Sequence, residues 1–259
     1  MFAVLKKKRC YDTVENRENL KMYGKYTDKL GVKSIVGSQK LDNLHIAKVH
    51  GIYNSYDEID PEKLPNQFVI KANHWCGDTK IILSKDMFEK TKESNKKYFH
   101  TILKQTYGSG REPHYKYIEP KIFIEEYLGN QPIEYKFHCI HGKVVCIMAM
   151  NVISNHFWFL TKDWRSLNFT RHGHPILKTR CDKPNNLETL LSVAENLSSV
   201  FDYMRIDLYV VNDKIYFGEY TCTPGGCNTY FTDHNFDKLL LEFLNNKNVD
   251  YDAINKFLV

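Results

Sequence analysis

The chain has 259 residues, 42% hydrophobic and 14% aromatic, which is core material for one large domain or two closely packed ones and excludes a disordered chain. Its 36 basic and 31 acidic side chains leave a formal charge of +5 spread along the sequence; this mild excess speaks against a nucleic-acid or membrane-surface protein and leaves nucleotide phosphates or an acidic glycan open as ligands. Seven cysteines, odd in number and without a C-x-x-C pair, argue against a disulfide framework or a zinc finger and fit reduced thiols in a cytoplasmic protein.

At the N-terminus the apolar stretch Phe2 to Leu5 is short and precedes the basic run Lys6 to Arg9, the reverse of a signal peptide, and the basic run reads as a solvated tail. Residues 11 to 55 read as short helices and connections, with a helix start at Thr27 and Asp28 in its first turn. Residues 56 to 65, with Pro61 and Pro65, read as a connection. The apolar runs Phe68-Val69-Ile70 and Ile81-Ile82-Leu83 flank a polar loop containing Gly77 and Asp78, which predicts a hairpin. A Lys-rich helix is predicted over 86 to 105, a strand over Lys121 to Tyr127, and two strands over Tyr135 to Ile153 turned at His141-Gly142. The longest apolar run, Val144 to Met150, falls far short of the roughly 20 residues a membrane span needs.

From Asn186 to Phe201 the residues Leu187, Leu190, Leu191, Ala194, Leu197 and Phe201 recur at helical spacing, with Asn186 placed to cap the N-terminus. Strands follow over Tyr203 to Val211 and Ile215 to Thr221, then a Gly-rich loop and terminal helices. Without a regular βαβ alternation, repeat or linker, the pattern predicts an α+β architecture with mainly antiparallel sheets.

The last two strands raise a question of register, because a slip of one residue moves a whole set of side chains to the other face. A two-residue turn at Asn212-Asp213 would set Asp207 opposite Gly218. A three-residue loop of Asn212, Asp213 and Lys214 sets Asp207 opposite Glu219 and Arg205 opposite Thr221, and leaves the reverse face apolar or aromatic; this register is expected. Opposed carboxylates whose Cβ atoms lie roughly 4.5 to 5.5 Å apart repel unless a cation joins them. Mg2+ suits such a pair, since it takes one or two carboxylates and keeps positions for phosphate oxygens and water.

Arg205-Ile206-Asp207, followed twelve residues after the aspartate by Glu219-Tyr220-Thr221 and then Pro224-Gly225, resembles the R-x-D, E-x-N and P-G strings of ATP-grasp enzymes, with threonine in place of the asparagine. Further stretches resemble the teichuronopeptide-biosynthesis-like (TupA-like) branch of that superfamily from about Tyr23 to Phe231. They are Asp28-Lys29-Leu30, Ile59-Asp60 with Leu64-Pro65, Phe68 to Lys71 with Asn73-His74, Ile124 to Leu128, Glu134 to Phe137 and Gly218-Glu219.

The resemblance implies an ATP-grasp fold of two α+β subdomains clasping the nucleotide: a reduced helical region over 1 to 55, a lid-like subdomain over 56 to 128 and a larger subdomain over 129 to 259. ATP and Mg2+ are the implied cofactors. Lys29, Lys71, His74 and Lys136 would meet ATP phosphates, while Glu125, Glu126, Tyr127 and Leu128 form a hinge for adenine and ribose. Asp207, Glu219 and Thr221 would hold the metal, with Arg205 and Lys71 catalytic. The loop His74 to Lys80 departs from a Gly-rich phosphate cover, having one glycine and Trp75-Cys76 in its middle. The implied reaction is ADP-forming ligation of a carboxylate to an amine through an acyl phosphate. Its substrate would be a uronic acid of a capsular or cell-wall polysaccharide or its precursor, in the cytoplasm. A glycan phosphotransferase and a non-catalytic nucleotide- or glycan-binding module are the rival readings. Residues 1 to 55 would be a reduced version of the preceding substrate domain, or a second copy or partner subunit would complete the site.

Overall fold

The computed structural model describes residues 1–77, 79–105, 111–129, 133–177, 179–228 and 231–259. Asp78, expected in the loop of the first hairpin, lies outside the described residues. Along the chain run helices α1 (Phe2–Arg9), α2 (Arg17–Thr27) and α3 (Gly31–Ser38), then strands β1 (Leu44–His45), β2 (Val49–Tyr53), β3 (Phe68–Ala72) and β4 (Lys80–Ile82). Helix α4 (Lys85–Ile102) precedes strands β5 (Ile122–Glu126), β6 (Ile133–Ile140), β7 (Lys143–Asn151) and β8 (His156–Leu160); helix α5 (Leu187–Ser198), strands β9 (Tyr203–Val211) and β10 (Lys214–Thr221) and helix α6 (His234–Asn245) follow. The chain forms two compact units, the smaller from residues 11–39 and 46–129 and the larger from 1–10, 40–45 and 130–259. The first 55 residues, expected as one region, are therefore divided between the two.

In the smaller unit an antiparallel sheet of order β2-β5-β3-β4 carries α4 on one face. Phe68, Ile70 and Ala72 alternate onto that face and pack with Phe88, Phe99 and Ile102, which recur at helical spacing along α4. Ser84 caps the helix, its Oγ accepting from Met87 N at 3.1 Å. The helix start expected at Thr27 is instead a helix end: Thr27 Oγ1 donates back to Tyr23 O at 2.8 Å, closing α2. Asp28 stands between the helices, accepting from Leu30 N at 2.9 Å and Asn73 Nδ2 at 3.0 Å, and α3 begins only at Gly31.

The larger unit is a six-stranded sheet of order β1-β10-β9-β6-β7-β8, in which β1 runs parallel to β10 and the other described pairs are antiparallel. Helix α5 covers the face bearing Cys139, Ile206 and Tyr220, and Tyr220 Oη donates to Leu197 O at 3.1 Å. Asn186 occupies the position before α5, but its side chain donates to Asp213 O at 3.3 Å and does not cap the helix.

The opposite face meets an aromatic core built on Phe159, Phe169, Phe231, Phe236 and Phe257, in which Phe169 and Phe236 stack at 4.0 Å. Helix α1 belongs to this core. Phe2, Leu5 and Arg9 share one side of it and are buried, whereas Lys7 and Lys8 remain exposed. The basic run is thus not a solvated tail. Arg9 is fully buried, pairs with Asp202, and donates Nη1 to Tyr203 O at 3.0 Å and Cys222 O at 2.9 Å.

Candidate active site

The β9–β10 hairpin corrects the expected loop. Asn212 and Asp213 both take positive φ, 50° and 60°, and form a two-residue turn that pairs Val211 with Lys214. Turns of this kind match the twist of the flanking strands, and Asn and Asp tolerate the left-handed conformation they require. The register places Ile215 and Phe217 opposite Val210 and Leu208, and Tyr216 opposite Tyr209. Continued unchanged, it would set Asp207 opposite Gly218. A bulge at Gly218 adds one residue to β10, so that Asp207 pairs with Glu219 and Arg205 with Thr221 after all. Only glycine fits there without displacement, since a Cβ would lie 2.8 Å from the Tyr209 ring and 2.9 Å from the Asp207 carbonyl oxygen.

Strand β6 flanks β9 on its other side, setting Lys136 opposite Asp207, His138 opposite Arg205 and Glu134 opposite Tyr209. The three central strands therefore present two rows on one face: Lys136, Asp207 and Glu219, then His138, Arg205 and Thr221. Asp207 is fully buried and receives cations from both directions. Arg205 donates Nε to Oδ1 and Nη2 to Oδ2, each at 2.7 Å, and Lys136 Nζ lies 2.6 Å from Oδ2. Lys136 also pairs with Glu134 Oε2 at 2.5 Å, whose other oxygen accepts from Tyr209 Oη at 2.8 Å.

Arg205 Nη2 reaches Glu219 Oε1 at 3.3 Å and Thr221 Oγ1 at 2.9 Å, while Thr221 Oγ1 donates to Glu219 Oε1 at 3.0 Å. Burial alone would favour loss of the Arg205 and Lys136 protons, but the Asp207 charge outweighs it, with Glu219 adding for Arg205 and Glu134 for Lys136, and both stay firmly protonated. The opposite holds for His138. Burial, reinforced by the charges of Arg205, Arg171 and Lys136, pushes it down to about 3, leaving a neutral imidazole whose Nδ1 lies 2.9 Å from Tyr203 Oη.

This donor set fits Mg2+ in kind: Asp207 and Glu219 are hard oxygen ligands on adjacent strands, and Glu219 remains 25% exposed. Among the described residues no three His, Cys, Asp or Glu side chains form a complete cage, so nucleotide phosphates and water would supply the remaining ligands. Thr221, expected as a third ligand, has its hydroxyl engaged by both Arg205 and Glu219 and orients the glutamate.

In the smaller unit, Glu125 on β5 is buried and paired with Lys71 of β3 and, at 2.9 Å, with Lys33 of α3. Burial pushes the Glu125 carboxyl up, but Lys71 and Lys33 more than offset this and hold it below the usual range. Lys29 and Lys71 line the same small cleft with Trp75, Gly77 and Tyr98.

His74 does not face that cleft. Its Nε2–H donates to Ile102 O at 3.1 Å and Gln105 O at 3.2 Å at the end of α4, and burial lowers its pKa, so the structure assigns it to the core and not to phosphate. Of the expected hinge, Glu125 anchors lysines, and Glu126 accepts from Lys48 N at 3.2 Å while its own N–H donates to Lys48 O at 2.8 Å. Tyr127 and Leu128 are half-buried.

Sequence reasoning missed Lys33, His138 and Arg171. His138 had a usable signal, since it follows Lys136 by two residues in a strand and so shares its face. Arg171 lies outside any strand or helix, and no local pattern points to it.

The family profile described as TupA-like ATPgrasp matches residues 6–245. The chain belongs to this family. The TupA-like ATP-grasp protein is similar in structure to the L-amino acid ligase from Bacillus licheniformis, with a TM-score of 0.51 and 13% identity over 82% of this chain and 48% of that one. It also matches the D-alanine–D-alanine ligase from Bacillus anthracis, with a TM-score of 0.47 and 15% identity over 91% of this chain and 66% of that one. Against the same ligase complexed with ATP the TM-score is 0.45, with 15% identity over 76% and 53%. The family and the first of these matches establish an ATP-grasp fold of α+β architecture. The chain spans about half to two thirds of the length of these ligases. Among curated proteins none matches. No helix among the described residues of the TupA-like protein is long and apolar enough to cross a membrane.

Proposed function

We propose that the chain is an ATP-dependent, ADP-forming carboxylate-amine ligase. Its acceptor would be a carboxylate, such as a uronic acid of a capsular or cell-wall polysaccharide or its precursor, joined to an amine in the cytoplasm. The observation that carries this reading is the Asp207–Glu219 pair, set opposite each other by the Gly218 bulge and bridged by Arg205. Such a layer serves a reaction in which negative charge must be gathered and moved.

In this reading Lys29 and Lys71 hold the ATP phosphates, with Glu125 and Lys33 fixing the position of Lys71. Asp207 and Glu219 hold Mg2+, which when bound supplies positive charge beside the phosphates. The γ-phosphoryl group passes to the acceptor carboxylate, ADP departs, and the amine displaces inorganic phosphate to leave an amide. Arg205, clamped on Asp207, offers a rigid guanidinium to the oxyanion that develops at the acyl carbon. Lys136 holds the buried Asp207 and Glu134 side chains in place; its two carboxylate partners make this role, and not a phosphate contact, the better supported one.

A coupled assay of ADP release with a uronate, with and without candidate amines, tests the proposal. Amine-dependent release supports the ligase. Release that ignores every amine would identify a phosphotransferase, and absence of Mg-ATP binding a non-catalytic module.

A further inference from the structure

The active-site layer continues into a second feature of the larger unit that the nucleotide chemistry does not use. His138, Met148, Phe159, Arg171, Arg205 and Phe231, with the Pro224–Gly225 turn, line a small concavity. The two arginines differ in their partners. Arg205 is paired with Asp207 and Glu219, whereas no carboxylate pairs with half-buried Arg171 among the described residues.

Arg171 is nevertheless held in place. Its backbone bridges to Phe231, His174 N donates to its carbonyl at 3.1 Å, and its guanidinium lies 5.9 Å over the Phe157 ring. A positioned, uncompensated guanidinium beside a second positive charge is costly unless an anion joins it. Burial and the neighbouring Arg205 charge both act to loosen the Arg171 proton, in line with that cost.

We infer that this pocket is the recognition subsite for a substrate carboxylate, gripped by Arg171 and lying against Arg205. One uncompensated positive charge matches a monoanion better than a phosphate, which carries about −1.5 to −2 at neutral pH. The guanidinium fork takes a carboxylate through two parallel hydrogen bonds. Neutral His138 adds no third charge, and Met148, Phe159 and Phe231 give the body of the ligand an apolar floor. The ligase reading is needed only to identify this carboxylate as the one activated.

Calorimetric titration of the intact protein in Mg-ATP with D-glucuronate, D-glucose and inorganic phosphate tests the assignment, using the wild type, Arg171→Gln and Arg171→Lys. Glucuronate is expected to bind the wild type, with glucose and Arg171→Gln each weakening binding by about tenfold or more and Arg171→Lys restoring part of it. Mg-ATP affinity should stay unchanged in both variants, and neither should melt below the wild type. Unchanged glucuronate affinity in Arg171→Gln, tighter binding of phosphate than of glucuronate, or no glucuronate binding to the wild type overturns the assignment. If glucuronate binds through Arg171 but no amine supports ADP release, the ligase reading falls and the subsite stands. Amine-dependent ADP release that is indifferent to Arg171 removes the subsite and leaves the ligase.

Discussion

Lys136 Nζ lies 2.6 Å from Asp207 Oδ2, directly across from β6 to β9, and Arg205 grips the same carboxylate from its own strand. Removing one member of such a buried set leaves the others without compensation. Lys136→Met should therefore destabilise the fold by about 3 to 5 kcal/mol, because Asp207 keeps one cation and Glu134 loses its own. Urea denaturation measures this, and a loss below about 1 kcal/mol, the scale of an exposed pair, would contradict it.

The Gly218 bulge predicts a coupled loss of stability and metal dependence. A valine there meets the Tyr209 ring and the Asp207 carbonyl, which should cost about 1 to 3 kcal/mol as strain or force the strand into its unbulged register. In that register Glu219 no longer faces Asp207. A Gly218→Val protein that melts and binds Mg-ATP like the wild type would show that the bulge is dispensable.

Glu219 offers the direct test of the metal. Glu219→Gln keeps the shape of the side chain and removes its charge. Nucleotide affinity measured with Mg2+ and again with EDTA should differ in the wild type and converge in the variant, by a factor of about ten or more. An undiminished Mg2+ effect in Glu219→Gln would place the ion elsewhere.

His138 gives a pH prediction with a definite sign. Folded, it titrates at about 3 against an ordinary value of 6.5, so between these limits the unfolded chain holds the extra proton. Its contribution is complete above pH 6.5 and is lost as the pH falls, at about 1.4 kcal/mol per unit within that window. His138→Gln should flatten the acid limb of a stability–pH curve; parallel limbs for the two proteins would show that His138 is not buried neutral.

Lys71 and His74 lie three residues apart yet should respond in opposite ways. Lys71→Met is expected to weaken Mg-ATP binding by about tenfold, as loss of a charge-assisted contact does. His74→Phe should leave that affinity intact and lower stability by about 1 to 3 kcal/mol, since two carbonyls at the end of α4 lose their donor. A reversed pattern would return His74 to the phosphate site.

Features written in short-range periodicity could be read from the chain alone. These include the alternation that places Arg205 and Asp207 on one face of β9, the Lys-rich helix α4, the stripe of α5, the β3–β4 and β6–β7 hairpins, and the ordered strings that mark the family. Each depends on backbone geometry repeating every two or 3.6 residues, so spacing suffices. The opposition of Asp207 to Glu219 was also expected, but from a loop the protein does not have: a two-residue turn and a glycine bulge together reproduce its register.

Tertiary structure alone decided which charges meet. Lys136 reaches Asp207 from 71 residues away, Arg9 pairs with Asp202 across 193, and Lys33 finds Glu125 from a separate helix. No local rule encodes such pairings, because they follow from which strands become neighbours in a sheet of order β1-β10-β9-β6-β7-β8. The carboxylate pair was thus present in the sequence as a possibility of register, and the packing of β6 and the bulge at Gly218 made it a buried, charge-compensated site.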